Sequence, residues 1–146
     1  MLNRSLFSSA SGEWETPQGV FDALNAEFGP FDLDPCATPE NAKCPNFYTQ
    51  ESDGLLQPWR GRVFVNPPYG RAIGRWIQKC YAAVGQDAKL VVALLPSRTD
   101  TAWWHDYVMK ADEIRFIRGR LYFTRDDGLR ARAPFPSAIV VWRPPC

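Results

Sequence analysis

The chain has 146 residues, a length typical of one domain, and a formal net charge of +1. Hydrophobic residues make up 45% of it and charged residues 23%, values that exclude a disordered tail, a fibrous repeat and a disulfide scaffold. The longest apolar run covers only residues 90–95, far short of the roughly 20 residues that span a bilayer, and the start of the chain shows no signal-peptide pattern. We therefore expect a cytoplasmic protein without a membrane partner.

The basic residues are informative because 13 of the 17 are arginine, which suits bidentate recognition of phosphates and bases. A general surface bias towards arginine would explain the same count. A net charge near zero neither demands nor excludes a nucleic-acid partner. The four cysteines form no C-x-x-C pair and His105 is the single histidine, so we expect reduced thiols and no metal site.

The first half of the chain predicts one helix and three short strands. Thr16 is a candidate N-cap, with Pro17 as the first helical residue of an amphipathic helix that stops at Gly29-Pro30. Residues 31–34 alternate apolar and acidic side chains, which is typical of a short strand. Phe47-Tyr48 starts a further short strand, and residues 62–65 form a third, which the next two prolines interrupt.

The second half predicts two helices and three strands. Apolar residues recur at helical spacing over 73–84, before a glycine stop. Residues 90–95 are uniformly apolar, as in a strand covered on both faces of a parallel sheet, and we expect Pro96 to end it. A third helix is expected over 103–111, and its N-cap is Thr99 or Asp100. The remaining predicted strands are 114–117 and 138–142.

This alternation of strands and helices predicts a three-layer α/β domain over residues 13–146, preceded by a flexible lead-in of residues 1–12. In open α/β sheets, ligands bind beyond the carboxyl ends of the strands, so polar residues directly after strands are site candidates. Three segments meet this condition: Asp34-Pro35-Cys36, Asn66-Pro67-Pro68-Tyr69 and Pro96-Ser97-Arg98.

The Asn66-Pro67-Pro68-Tyr69 loop is the most specific of the three. Its two prolines stiffen the backbone and place carbonyl acceptors beside an amide side chain and an aromatic ring. Rigid acceptors next to a stacking platform suit an exocyclic amine on a planar base. A proline-rich turn with Tyr69 packed in the core would give the same pattern.

The order of motifs resembles that of the phage-type DNA N-6-adenine methyltransferases, often called Dam-like, over about residues 13–143. The matching motifs are Trp14-x-Thr16-Pro17, Leu33-Asp34-Pro35-Cys36-Ala37, Asp53-Gly54-Leu55, Asn66-Pro67-Pro68-Tyr69, Pro96-x-Arg98-Thr99-Asp100-Thr101 and Gly119-Arg120-Leu121-x-Phe123. The resemblance implies a minimal, Rossmann-like class I methyltransferase fold. It also implies methyl transfer from S-adenosylmethionine to the exocyclic amine of adenine in double-stranded DNA.

The resemblance gives the residues of the proline loop their roles. The Asn66 side-chain oxygen and the Pro67 main-chain carbonyl accept hydrogen bonds from the target amine. Pro68 completes the catalytic loop, and Tyr69 stacks on the adenine, which is flipped out of the duplex. No general base is required before transfer, so His105 is expected at the surface.

The resemblance also assigns residues to the cofactor. Those near its methionine portion are Trp14, Thr16 and Pro17, those in the loop beneath it are Asp34, Pro35 and Cys36, and the partner of its adenine amine is Asp53. Each assignment has a structural alternative, such as a helix cap for Asp34, a turn held by Asp53 and a core anchor for Trp14. The segment after the first strand also lacks the glycine-rich loop of many class I methyltransferases.

Contacts with DNA are expected from Arg71, Arg98 and Arg120, while residues 125–132 mix charges and would equally form a solvated hairpin. Little chain is left for a target-recognition domain, so specificity is expected to be loose or to come from short loops or a second subunit, in a monomer or a homodimer. Two other functions fit the residues. One is transfer to cytosine N4, an RNA base or a protein glutamine, and the other is a catalytically silent DNA-binding module. The expected setting is the cytoplasm of a bacterial or phage-infected cell.

Overall fold

The computed structural model describes residues 15–124 and 128–145. The strands are β1 (Leu33–Asp34), β2 (Asn46–Phe47), β3 (Gly61–Val65), β4 (Ala88–Pro96), β5 (Glu113–Phe116), β6 (Tyr122–Thr124), β7 (Arg130–Arg132) and β8 (Ser137–Trp142). The helices are α1 (Gln18–Phe28), α2 (Ile73–Ala83) and α3 (Ala102–Asp106), with 3₁₀ turns at Gly54–Leu56 and Val108–Lys110. The predicted lead-in and Trp14 lie outside the described residues.

Six strands form one mixed sheet in the order β2-β1-β3-β4-β8-β5, which confirms the α/β class. Strands β1 to β4 pair in parallel, whereas β8 runs antiparallel to β4 and to β5. The prediction that β4 lies in a parallel sheet is therefore correct for its pairing with β3 and wrong for its pairing with β8. The carboxyl ends of β1, β3 and β4 meet at one edge of the sheet, where the polar loops follow.

The core lies on both faces of β3. Phe64 points to one face, where its ring meets Phe21 of α1 edge-on with ring centroids 5.2 Å apart. Val63 and Val65 point to the other face and are fully buried, so that face is covered too. Trp76 of α2 packs against Trp59, which precedes β3. The central strands are thus rigid supports for the loops at their ends.

The predicted start of α1 is wrong by one residue. The helix begins at Gln18, and Pro17 occupies the cap position without a side-chain bond to the helix. The hydroxyl of Thr16 instead accepts a hydrogen bond from the amide of Asn66, at 3.0 Å. A contact across fifty residues therefore takes the oxygen that a local cap would have used. The stop at Gly29 is confirmed.

The third helix is shorter than predicted and has a different cap. Thr101 caps it by accepting the Trp104 amide at 3.2 Å, while the predicted caps Thr99 and Asp100 lie in the turn that precedes it. The helix ends at Asp106 because Tyr107 leaves the helical region and the next three residues form a 3₁₀ turn. His105 is exposed, as predicted.

The strand limits are partly as predicted. Pro96 ends β4, as expected, and pairs there with Ser137. Strand β3, the parallel neighbour of β4, ends opposite Ala93. Beyond that point β4 has no β3 partner, so a proline, which lacks a backbone N–H, loses no hydrogen bond to β3. The first strand contains only Leu33–Asp34 and is two residues shorter than predicted, although the backbone of Asp32 also bonds to Arg62 and Asn46. The other predicted strands shift by about one residue.

Strands β6 and β7 form a separate hairpin, with Tyr122 opposite Arg132 and Thr124 opposite Arg130. This pairing confirms the predicted hairpin for residues 128–132. Residues 125–127 lie outside the described part of the chain. Phe123 is fully buried, so one face of the hairpin packs against the body rather than facing solvent. Within the described ranges, no helix is long and apolar enough to cross a membrane.

Candidate active site

Asn66 is the centre of the site, at the carboxyl end of β3. The residue is only 8% exposed, and its amide is held from both sides. The nitrogen donates to the Thr16 hydroxyl at 3.0 Å, and the oxygen accepts from the Tyr69 hydroxyl at 2.8 Å. Pro67 is buried next to it and Pro68 is partly buried. The structure therefore brings together two motifs that lie fifty residues apart.

Tyr69 is a buried member of this network. Its hydroxyl also lies 3.2 Å from the carbonyl oxygen of Leu94 in β4. Burial raises the pKa of Tyr69 above its ordinary value, so the hydroxyl stays protonated and acts as a donor. The ring is 8% exposed and packs edge-on against Phe135, with centroids 5.2 Å apart. In this conformation the ring belongs to the core, and its stacking on a base stays a prediction.

Asp34 ends β1 and organises the loop that follows. One carboxylate oxygen accepts the Cys36 amide at 3.3 Å and the other accepts the Lys43 amide at 3.2 Å. The side chain is 4% exposed, and this burial raises the pKa of Asp34 to about 7 despite the two hydrogen bonds. The carboxyl group thus holds a loop rather than a helix end, and its charge changes near neutral pH.

Four of the predicted residues line one cleft, namely Thr16, Asp34, Cys36 and Asn66. Three further lining residues were not predicted, namely Glu15, Asn41 and Lys43. The ammonium of Lys43 lies 3.6 Å from the Glu15 carboxylate and donates to Gln18 at 2.9 Å. Asn41 and Lys43 come from an aperiodic loop, so no sequence pattern marked them. Only about 10 Å³ of the cleft is open, room for about one water molecule.

Asp53 lies in a tight turn next to the loop that follows β1. Its backbone is left-handed (φ 56°), and its carboxylate accepts the Leu55 amide at 3.1 Å, as the turn-holding alternative expects. A Cβ on Gly54 would overlap the carbonyl oxygen of Pro35, so only glycine fits there. This close approach sets Asp53 beside the loop that Asp34 organises.

The three predicted DNA-contacting arginines are all exposed. Arg71 follows the proline loop, and Arg98 follows β4 with its guanidinium 5.9 Å from the centre of the Phe135 ring. Arg120 follows β5 and donates to the Ala133 carbonyl at 3.3 Å. The three side chains therefore belong to loops at the carboxyl edge of the sheet.

A larger cleft of about 480 Å³ lies beside the edge strand β2. Its lining residues are Leu33, Pro45, Asn46, Phe47, Tyr48, Pro58 and Arg60. Of the residues in the family-like motifs, only Leu33 lines this cleft. The larger cleft is therefore not the candidate site, although it has the larger volume. Among the described residues, no group of three or more His, Cys, Asp or Glu side chains is placed to hold a metal ion.

Comparison with known proteins gives one family. The family described as DNA N-6-adenine-methyltransferase (Dam) matches residues 5–145. The chain is 33% identical over 123 residues to the DNA N-6-adenine-methyltransferase of Escherichia phage T1, covering 82% of this chain and 50% of the relative. It is 37% identical over 106 residues to the protein of that name from Haemophilus phage HP1, covering 71% and 61%. The matches thus span half to three fifths of these relatives.

Proposed function

Because the chain belongs to the DNA N-6-adenine-methyltransferase (Dam) family, we propose that it transfers a methyl group from S-adenosylmethionine to the N6 amine of a flipped adenine in double-stranded DNA. The observation that carries this proposal is the buried amide of Asn66, held between Thr16 and Tyr69. We also assign the domain over residues 13–146 to the Rossmann-like class I fold. The mixed α/β sheet, with its polar loops at one edge, supports that assignment.

The chemistry requires acceptors that act on the amine. An exocyclic amine is a poor nucleophile because its lone pair is delocalised into the ring. Hydrogen bonds from its two N–H groups to the Asn66 side-chain oxygen and the Pro67 carbonyl would localise the lone pair on the nitrogen, directed at the methyl group. As the N–C bond forms, the S–C bond breaks with S-adenosylhomocysteine as the leaving group, and the methylated nitrogen then loses one proton to solvent. An amide oxygen accepts two hydrogen bonds, so Asn66 can serve the amine and Tyr69 together. Tyr69 then acts as a positioning residue whose hydroxyl keeps the amide in place.

The residues of the cleft fit one end of the cofactor. S-adenosylmethionine supplies an electrophilic methyl group when it is bound, and its amino-acid end carries both an ammonium and a carboxylate. The cleft carries groups of both signs, the Glu15 carboxylate and the Lys43 ammonium, which pair with each other at 3.6 Å, and beside them the Asp34 carboxyl group. The narrow opening means that bordering side chains move on binding. The residues proposed to hold the cofactor are Trp14, Thr16, Pro17, Asp34, Pro35, Cys36 and Asp53.

The proposed substrate is duplex DNA inside a bacterial cell. The exposed arginines Arg71, Arg98 and Arg120 follow the proline loop, β4 and β5, so their charges are presented on the side of Asn66. Phosphate contacts from such side chains set the position of a duplex without reading its sequence.

Acceptor competition tests this proposal. The protein is incubated with methyl-labelled S-adenosylmethionine and unmethylated genomic DNA, with an excess of RNA, glutamine-containing peptide or fully N6-methylated DNA. We expect label in the unmethylated DNA that neither RNA nor peptide diminishes, and no label with the Asn66→Ala variant. Label that moves to RNA or peptide overturns the DNA assignment, and cofactor binding without any transfer favours the silent module.

A further inference from the structure

The turn that carries Asp53 leaves one oxygen of its carboxylate free. Oδ1 accepts the Leu55 amide at 3.1 Å, whereas Oδ2 makes no hydrogen bond within the described part of the chain. The backbone of Asp53 is left-handed (φ 56°), a conformation that residues other than glycine seldom adopt without support from their surroundings. The direction of the free oxygen therefore depends on what holds the turn.

Carbonyl groups of this turn are bound by side chains from outside it. The Gly54 carbonyl oxygen accepts the indole N–H of Trp59 at 2.8 Å. The carbonyl oxygens of Leu55 and Gln57 both accept from the ammonium of Lys79, at 2.8 and 2.6 Å. Hydrogen bonds from a charged donor are shorter and stronger than those between neutral groups. A lysine on α2 thus binds the turn at two points, 24 and 22 residues away along the chain.

Lys79 is itself held by aromatic side chains. Its ammonium lies 5.5 Å from the centre of the Trp59 ring, and that ring packs against Trp76 with centroids 6.1 Å apart. Trp76 precedes Lys79 by one turn of α2, so both side chains lie on the helix face that contacts this loop. Burial lowers the pKa of Lys79 and the Asp53 carboxylate counteracts this shift, so the two charged groups are within electrostatic reach. The lysine, the two tryptophans and the turn therefore form one packed unit.

We propose that Lys79 is a positioning residue for the cofactor, because it holds the Asp53 turn so that the free Oδ2 accepts a hydrogen bond from the adenine amine of S-adenosylmethionine. The proposal rests on the proposed function, and it gives a role to a side chain that lies outside every family-like motif of the sequence. A lysine that only fastened α2 to the loop would stabilise the fold, but its effect on the cofactor would not pass through Asp53. The two roles therefore differ in whether Lys79 and Asp53 act together on cofactor binding.

The test measures the binding of S-adenosylhomocysteine by calorimetry in a double-mutant cycle. The variants are Lys79→Met, Asp53→Asn and the two combined, and asparagine keeps the turn but carries an NH₂ group in place of Oδ2. The matched control is Lys110→Met. The Lys110 ammonium also lies over an aromatic ring, 5.3 Å from the centre of Tyr81, but its side chain donates to no carbonyl within the described part of the chain. Thermal unfolding shows that each variant folds, and Lys79→Gln takes the place of Lys79→Met if the latter does not.

We expect Lys79→Met and Asp53→Asn each to raise the Kd about tenfold, which corresponds to about 1.4 kcal/mol. The double variant should bind no more weakly than Asp53→Asn alone, because the lysine has no carboxylate left to position. In methyl transfer, the KM for S-adenosylmethionine should rise by more than kcat falls in Lys79→Met. The Lys110→Met control should bind as the unsubstituted protein does.

Unchanged binding by Lys79→Met or by Asp53→Asn overturns this proposal. A loss of about 100-fold in the double variant also overturns it, since two independent effects multiply. The unsubstituted protein is assayed in parallel for methylation of duplex DNA, and N6-methylated adenine beside any of these results leaves the proposed function intact. Coupling between the two residues without methylation of any duplex supports the role of Lys79 and contradicts the proposed function.

Discussion

Replacement of Tyr69 by phenylalanine separates the two roles that this residue could have. The change removes only the hydroxyl, and the ring keeps its edge-on contact with Phe135. If the ring alone matters, as a stacking platform for a base, the variant keeps its activity. If the hydroxyl positions Asn66, as its 2.8 Å hydrogen bond indicates, the variant loses activity although the ring is still present.

The size of the effect follows from the two acceptors of the hydroxyl. The single hydroxyl proton is directed at the Asn66 oxygen at 2.8 Å, with the Leu94 carbonyl oxygen at 3.2 Å as a second, longer acceptor, so its removal costs one donor in a buried setting. A buried hydrogen bond of this kind contributes about 1–2 kcal/mol. For a domain of this size that corresponds to a fall of about 3–6 °C in Tm. The amide then lacks the hydrogen bond from Tyr69, and we expect kcat to fall about tenfold, or about 1.4 kcal/mol in the barrier.

Thermal unfolding and single-turnover methyl transfer, both at saturating cofactor, measure these two quantities. Tyr81→Phe is the matched control, because it removes the same hydroxyl from an exposed tyrosine on α2. The control should match the unsubstituted protein in both assays. A Tyr69→Phe protein with unchanged Tm and unchanged kcat would refute the positioning argument.

Substitutions at three other positions test the remaining parts of the site. Asn66→Ala should lower kcat by about 100-fold or more while S-adenosylhomocysteine binds as before; equal losses of binding and transfer in a folded variant contradict its role. Asp53→Ala and Asp53→Asn should both weaken cofactor binding before they affect transfer. Asparagine keeps the turn and tolerates the left-handed backbone. Normal cofactor binding by Asp53→Asn would therefore show that Asp53 only holds the turn. Burial raises the pKa of Asp34 to about 7, so the folded state binds the carboxyl proton more tightly than the unfolded state does. The protonated carboxyl group therefore contributes its full stabilisation of the fold below about pH 4. This contribution is lost as the pH rises through 7. Thermal unfolding between pH 5 and 8 should show this decline and Asp34→Asn should reduce it, whereas identical pH profiles argue against a shifted carboxyl group.

The regular elements were predictable from local patterns. Helix α2 and strand β4 have strong periodic or continuous apolar patterns, and both lie within a few residues of the expected limits. Thr16 shows where local reasoning fails. Its position favours a helix cap, but the contact with Asn66 decides where its hydroxyl points. Pro96, by contrast, ends β4 as its sequence position predicts.

The site was predictable only in part. Asp34 and Asn66 follow strands, so their position at one edge follows from the topology of an α/β sheet. Lys43 and Glu15 could not be found in this way. Lys43 enters the cleft because its backbone amide binds the Asp34 carboxylate nine residues away, within a loop without periodicity. The edge-on contact of the Tyr69 ring with Phe135 likewise joins distant parts of the chain.

The measurement that tests the central claim most directly is the identity of the methylated nucleoside. Unmethylated duplex DNA is incubated with the protein and methyl-labelled S-adenosylmethionine, digested to nucleosides and analysed by mass. The account predicts labelled N6-methyldeoxyadenosine, absent when Asn66→Ala replaces the unsubstituted protein. Label in any other nucleoside, or unlabelled DNA from a protein that still binds the cofactor, would contradict it.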